Sequence, residues 1–257
     1  MLGPDADDPT HIRAAAGNHT SWMSRAAEAT GGAVVHTDGL TWTAPAPGGE
    51  AMLLFPSACA PAAALDAVIE GARDRGARGI GCWATGLQPF DDLAERLMER
   101  DFEWGWQPHW MAIDLARLPL DEHDARERLE VDLVDVVPEY DGYGAALMSL
   151  THASPQRSWH ALARVDGAFA GRAWAHVDDG ELACAGIYDV DVPRRFRRRG
   201  IGRAVTLAVC RAAAQAGARV ATLNATGEGE LLYRALGFRS LGLGQTWWRH
   251  NLSFTRR

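Results

Sequence analysis

Residues 194–204 read RRFRRRGIGRA, five arginines ahead of a Gly-x-Gly and a sixth directly after it. Guanidinium groups are permanent cations whose forked donors suit phosphate oxygens. Glycines without side chains let backbone N–H groups come close to an anion. Such a stretch suits either the phosphates of a small ligand or a nucleic-acid backbone. Overall charge favours the first: the chain carries a net charge of -7, whereas nucleic-acid binders carry a basic surplus. The expected partner is a small anionic ligand and not nucleic acid.

Composition excludes other chemistries. All 26 basic residues are arginine, so a lysine-dependent phosphate loop or a Schiff-base enzyme cannot be built. Cys59, Cys82, Cys184 and Cys210 are far apart and form no C-x-x-C pair, so no metal site is expected. The opening MLGPDADDPT lacks a signal-peptide pattern, and no apolar run reaches the length of a membrane span. The expectation is a cytoplasmic protein without a membrane partner.

The elements around the arginines sharpen the reading. A strand, IYDVDV (187–192), runs into the loop, and an Ala- and Val-rich helix is expected to start at about Ile201. Helix N-termini attract anions through unpaired N–H groups and the macrodipole. The dinucleotide fingerprint fails, because its third glycine falls on Val205.

The complete string of strand, Arg-x-x-Gly-x-Gly (197–202) and amphipathic helix resembles the Gcn5-related N-acetyltransferase superfamily. The resemblance implies that Arg197, Gly200 and Gly202 bind the pyrophosphate of acetyl-CoA, with Arg198, Arg199, Ile201 and Arg203 in the same loop. It implies that backbone near Val190, Asp191 and Val192 meets the thioester and its oxyanion. LNATGEGELLYRALGF (223–238) resembles the family's second cofactor segment. There Asn224 would contact the cofactor arm, and Tyr233 would face the sulfur and protonate the leaving thiolate. Many relatives carry Glu or His at the positions of Gly186 and Tyr188, so the base is open. Water relayed through Tyr188 is one option. Asp189 is another, although strand alternation places it on the opposite face unless a bulge turns it.

The chain also repeats itself. GARGIGCWATG (76–86) aligns without gaps on GARVATLNATG (217–227), and each follows an apolar-periodic helix. The fold class expected is α/β with mixed sheets. It consists of two tandem acetyltransferase-like units, each a mostly antiparallel twisted sheet flanked by helices. Residues 1–116 would form a degenerate N-terminal domain, 117–128 a linker and 129–257 the catalytic domain. The first copy has no arginine or Gly-x-Gly before its helix, and carries Trp83 and Leu97 where the second has Asn224 and Tyr233.

WGWQPHW (104–110) places Trp104, Trp106 and His109 close in sequence. They are candidates, with Asp189, for the wall of an acceptor pocket, and His109 for a base. The activity implied is acetyl transfer from acetyl-CoA to a small-molecule amine, by a monomer or homodimer. The alternative is a non-catalytic acyl-CoA sensor or interaction protein.

Overall fold

The computed structural model describes residues 1–46, 48–86, 92–119, 129–250 and 252. In chain order the elements are α1 (Asp8–Ala29), β1 (Ala33–Thr37), β2 (Leu40–Ala44), β3 (Glu50–Leu54), α2 (Ala62–Asp74), β4 (Gly79–Ala84), α3 (Asp92–Met98), β5 (Glu103–Trp104) and β6 (His109–Asp114). They continue as β7 (Leu129–Val134), α4 (Gly142–Leu147), β8 (Ser158–Val165), β9 (Ala168–Val177), β10 (Ala185–Asp191), α5 (Ile201–Gln215), β11 (Val220–Ala225), α6 (Gly227–Leu236), β12 (Arg239–Leu243) and β13 (Gln245–His250).

The chain forms two compact units, one of Met1–Trp22 with His109–Leu241, the other of Met23–Pro108 with Gly242–Arg257. This division differs from a linear cut at 117–128. Strand β6 belongs to the first unit although it precedes that segment, and β13 belongs to the second although it follows it. Of the expected linker, 120–128 lies outside the described residues.

The first unit is built on a seven-stranded sheet in the order β12-β6-β11-β10-β9-β8-β7. Strands β10 and β11 run parallel, while β11–β6, β10–β9, β9–β8 and β8–β7 are antiparallel. Asp166 and Gly167 both take positive φ between β8 and β9, the conformation of a tight hairpin turn. Helix α5 lies across β8, β9 and β10. Alanines at 161, 163, 170, 173, 175, 185 and 221 are fully buried in this core, so little side chain separates helix from sheet. At Gly171 a Cβ would stand 2.8 Å from Ile201 Cγ2, and this close approach fixes where α5 begins. Between β7 and β8 the chain forms α4 and then a 3₁₀ turn, Met148–His152.

The second unit has a six-stranded sheet, β1-β2-β3-β4-β13-β5, with β3 and β4 parallel. Helix α2 buries Leu65, Val68, Ile69 and Ala72 in a core that also holds Trp42, Ile80 and Trp247. Strands β4 and β11 stand 141 positions apart at both ends. Each has one parallel neighbour and one antiparallel neighbour. Among the described residues, no helix is long and apolar enough to cross a membrane.

Candidate active site

Strand β10 carries the first irregularity. Its pairing with β9 jumps from Tyr188↔Trp174 to Asp191↔Arg172, so Asp189 and Val190 stand opposite Ala173 alone, as in a bulge. Asp189 takes φ 49° there. On the other side, pairing with β11 ends at Ile187↔Leu223. Val190 therefore has a described ladder partner on neither side, and the two strands part beyond Ile187. The bulge also turns Asp189: its carboxylate meets the Arg172 guanidinium at 2.9 Å, on the face that carries Trp174 and Tyr188. Burial raises the Asp189 pKa, against the opposing pull of Arg172.

After β10 the chain makes a 3₁₀ turn, Arg194–Phe196, and reaches α5 through Arg198 at φ 63° and Gly200 at φ 82°. The left-handed Gly200 is the N-cap, a conformation that glycine adopts without penalty. At Gly202 a Cβ would come within 3.0 Å of Leu232 Cδ2, so the second glycine keeps α5 and α6 close. The first turn of α5 leaves backbone N–H groups without intrahelical acceptors.

These elements enclose a cleft of about 670 Å³. Val190, Asp191, Val192, Arg197, Arg198, Gly200, Ile201, Gly202, Arg203 and Tyr233 line it, so most of the loop residues singled out in the sequence converge there. Phe196, Thr226, Glu228, Gly229, Leu231 and Leu232 also line it. They lie inside the two quoted stretches, 194–204 and 223–238, but were not singled out there. Arg199 is not among the lining residues; its guanidinium lies 5.8 Å from the Phe196 ring. Arg197 donates to Val192 O at 3.1 Å and pairs with the largely exposed Glu228 at 3.1 Å.

Helix α6 supplies the tyrosine. Thr226 caps it by accepting from Gly229 N, and Gly237 ends it in the left-handed conformation. Tyr233 is buried beside Phe238, with ring centroids 5.6 Å apart. Burial, reinforced by Cys210, raises its phenol pKa above the ordinary value, so Oη keeps its proton across the physiological range.

The opposite face of β10 is covered by α1, an element that sequence periodicity missed. Tyr188 stacks on Trp22 at 4.9 Å and donates its hydroxyl to Asn18 Oδ1 at 2.6 Å. Burial pushes its pKa well up. The Tyr188 hydroxyl thus stands as a hydrogen-bond donor to α1. A Cβ at Gly186 would overlap both Asn18 Oδ1 and Tyr188 Oη, so the glycine makes room for Asn18. Asn224 does not line the cleft. Its amide meets His19 Nδ1 at 3.2 Å on this same face.

The aromatic group divides between the units. Trp104 and Trp106 belong to the second unit, where they meet Trp247 and Trp83 edge-on. His109 belongs to the first, and its ring nitrogens contact Ser240 Oγ at 2.6 Å and Glu230 Oε2 at 3.0 Å. Both nitrogens are thus engaged, which fits a structural role for His109.

Comparison with known proteins was made against families, curated sequences and solved structures. A family model described as Acetyltransferase (GNAT) family matches residues 92–238, more than half of the chain. No curated protein sequence matches. A GCN5-related N-acetyltransferase from Kribbella flavida superposes with TM-score 0.63 at 16% identity, covering 91% of this chain and 95% of that one. A tandem GNAT protein from the clavulanic acid biosynthesis pathway gives TM-score 0.60 at 16% identity, covering 87% and 83%. A putative GNAT-family acetyltransferase from Novosphingobium aromaticivorans gives 0.54 at 18%, covering 89% and 98%. At these identities the structural matches speak for the fold.

Proposed function

Because the chain belongs to the acetyltransferase (GNAT) family, we propose that it transfers the acetyl group of acetyl-CoA to the amine of a small molecule. One observation carries this reading: the parted end of β10, the glycine-capped start of α5 and Tyr233 all line a single cleft. That cleft fits a pyrophosphate: Gly200 takes a left-handed conformation that a side chain would strain, and at Gly202 an added Cβ would press on Leu232 in the cleft wall. Arg197, Arg198 and Arg203 supply charge at its wall. A bound pyrophosphate would compete with Glu228 for Arg197, and Glu228 is exposed enough to swing away.

The chain's own groups then do three things. The backbone N–H of Val190, outside both ladders, donates to the carbonyl oxygen as charge develops on it. Tyr233 Oη donates a proton to the departing sulfur. The first turn of α5 holds the phosphate end fixed, so that the thioester keeps its position at the parted strands. The second unit we read as a degenerate copy: α2 is preceded by Pro61 with no Gly-x-Gly, and the buried Leu97 stands at the tyrosine position. We place the protein in the cytoplasm, acting as monomer or homodimer.

A sensor that binds acyl-CoA without catalysis is the competing reading, favoured by the committed hydroxyl of Tyr188 and the bare Gly186. Calorimetric titration with acetyl-CoA, of the wild type and of an Arg197→Ala/Gly200→Val variant, tests the site. One site per chain, lost in the variant, is the expected result, and no binding by the wild type would sink the reading. Thiol release with an amine panel then separates enzyme from sensor.

A further inference from the structure

The loop before α5 holds more arginine than the cleft uses. Arg197, Arg198 and Arg203 line the cleft, whereas Arg194, Arg195 and Arg199 do not. The backbone makes this division: residues 194–196 form a 3₁₀ turn, and the chain bends again at the left-handed Arg198. Phe196 joins the two groups. It lines the cleft and packs against the core of the unit, and the Arg195 guanidinium lies over its ring, 4.9 Å from the centroid. A guanidinium held over a ring is attracted by the ring's face and keeps N–H groups at its rim for an acceptor.

Nothing else in the protein occupies those donors. Among the described residues, neither Arg194 nor Arg195 makes a hydrogen bond or ion pair through its side chain. Of the two carboxylates in the cleft wall, Glu228 is paired with Arg197, and Asp191 stands at the end of β10. On a chain of net charge -7 carboxylates are not scarce, yet none is placed against Arg195. Crowded cations repel one another, and a ligand carrying several negative charges offsets that repulsion.

We propose that Arg195, seated on Phe196, binds the 3′-phosphate of coenzyme A, so that the site selects a donor phosphorylated on its ribose. The inference rests on the acetyltransferase reading above. The order of groups along the ligand points to this end of the loop. With the thioester at Val190 and Tyr233 and the pyrophosphate at 197–202, the phosphorylated ribose comes next, and the remaining arginines of the loop are what it meets. A phosphate monoester carries about two negative charges near neutral pH, and the forked donors of Arg195 match its oxygens. Arg199, with its guanidinium 5.8 Å from the same ring, adds to the positive field there.

Coenzyme A and dephospho-coenzyme A differ only in this phosphate, so the pair isolates its contribution. Both are titrated calorimetrically into the wild type, Arg195→Ala, Arg195→Gln and Arg194→Ala. The last removes an equal charge from the same turn but leaves the guanidinium on the Phe196 ring in place. The wild type should bind coenzyme A about 10- to 100-fold more tightly than dephospho-coenzyme A. In both Arg195 variants that ratio should fall to about one, with the affinity for dephospho-coenzyme A nearly unchanged. Arg194→Ala should keep most of the ratio.

Equal affinity of the wild type for the two ligands would overturn the inference, as would an unchanged ratio in the Arg195 variants. So would an equal weakening of both ligands by those variants, or a ratio lowered as far by Arg194→Ala, since either makes the total charge of the loop the cause. A wild type that binds neither ligand would instead bring down the acetyltransferase reading itself, and this inference with it.

Discussion

Tyr233 shows what burial does to a single side chain. The same packing against Phe238 that fixes the ring also raises its pKa, so it enters a reaction as a donor. Tyr233→Phe keeps the ring contacts and removes only the proton. Turnover should fall by about 100-fold or more, or roughly 3 kcal/mol of barrier, while acetyl-CoA affinity changes little. Steady-state kinetics beside calorimetry checks this, and an unchanged kcat would remove Tyr233 from the mechanism. The tyrosine was legible in the sequence because it stands before a Leu-Gly-Phe helix stop. Asn18 was not. Nothing in HIRAAAGNHTSWM distinguishes polar residues facing water from polar residues facing a sheet, and only the bare Gly186 across from it gives its burial a purpose.

At the level of elements, the packing of α1 on β10 depends on that glycine. Gly186→Ala should destabilise the protein by about 1–3 kcal/mol through overpacking against Asn18 and Tyr188, read as a lower urea midpoint with unchanged slope. Adding Asn18→Ala should recover part of the loss, since the two sites share one contact; strictly additive losses would mean that the glycine matters for another reason. The strands around the arginine loop were readable in advance because their signals are local. Asp-Gly at 166–167 turns β8 into β9, and Gly200 stops the loop where α5 begins. The bulge at Asp189 was foreseen only as a possibility, because it is set by the pairing with β9 and β11 and not by residues within β10.

For the whole molecule, the informative fact is which segments complete which sheet. Strand β6 lies between β12 and β11 in one unit, and β13 lies between β4 and β5 in the other. The sequence repeat made a linear cut look natural, because helix and strand signals recur at a fixed offset and carry no record of their neighbours. Fragments 1–128 and 129–257, produced separately, should therefore each fail to fold cooperatively, and producing them together should restore acetyl-CoA binding. A separate 129–257 that binds acetyl-CoA with wild-type affinity would show that β6 is dispensable. The arrangement also imposes an order on biosynthesis. As the chain leaves the ribosome, β4 pairs with β3 early, yet its other edge stays bare until the chain has been made as far as Gln245. For most of translation the nascent protein thus displays an open apolar edge, GIGCWA, that invites wrong partners. Chaperone capture of that edge, more than the final stability of the fold, would then set how much protein a cell recovers.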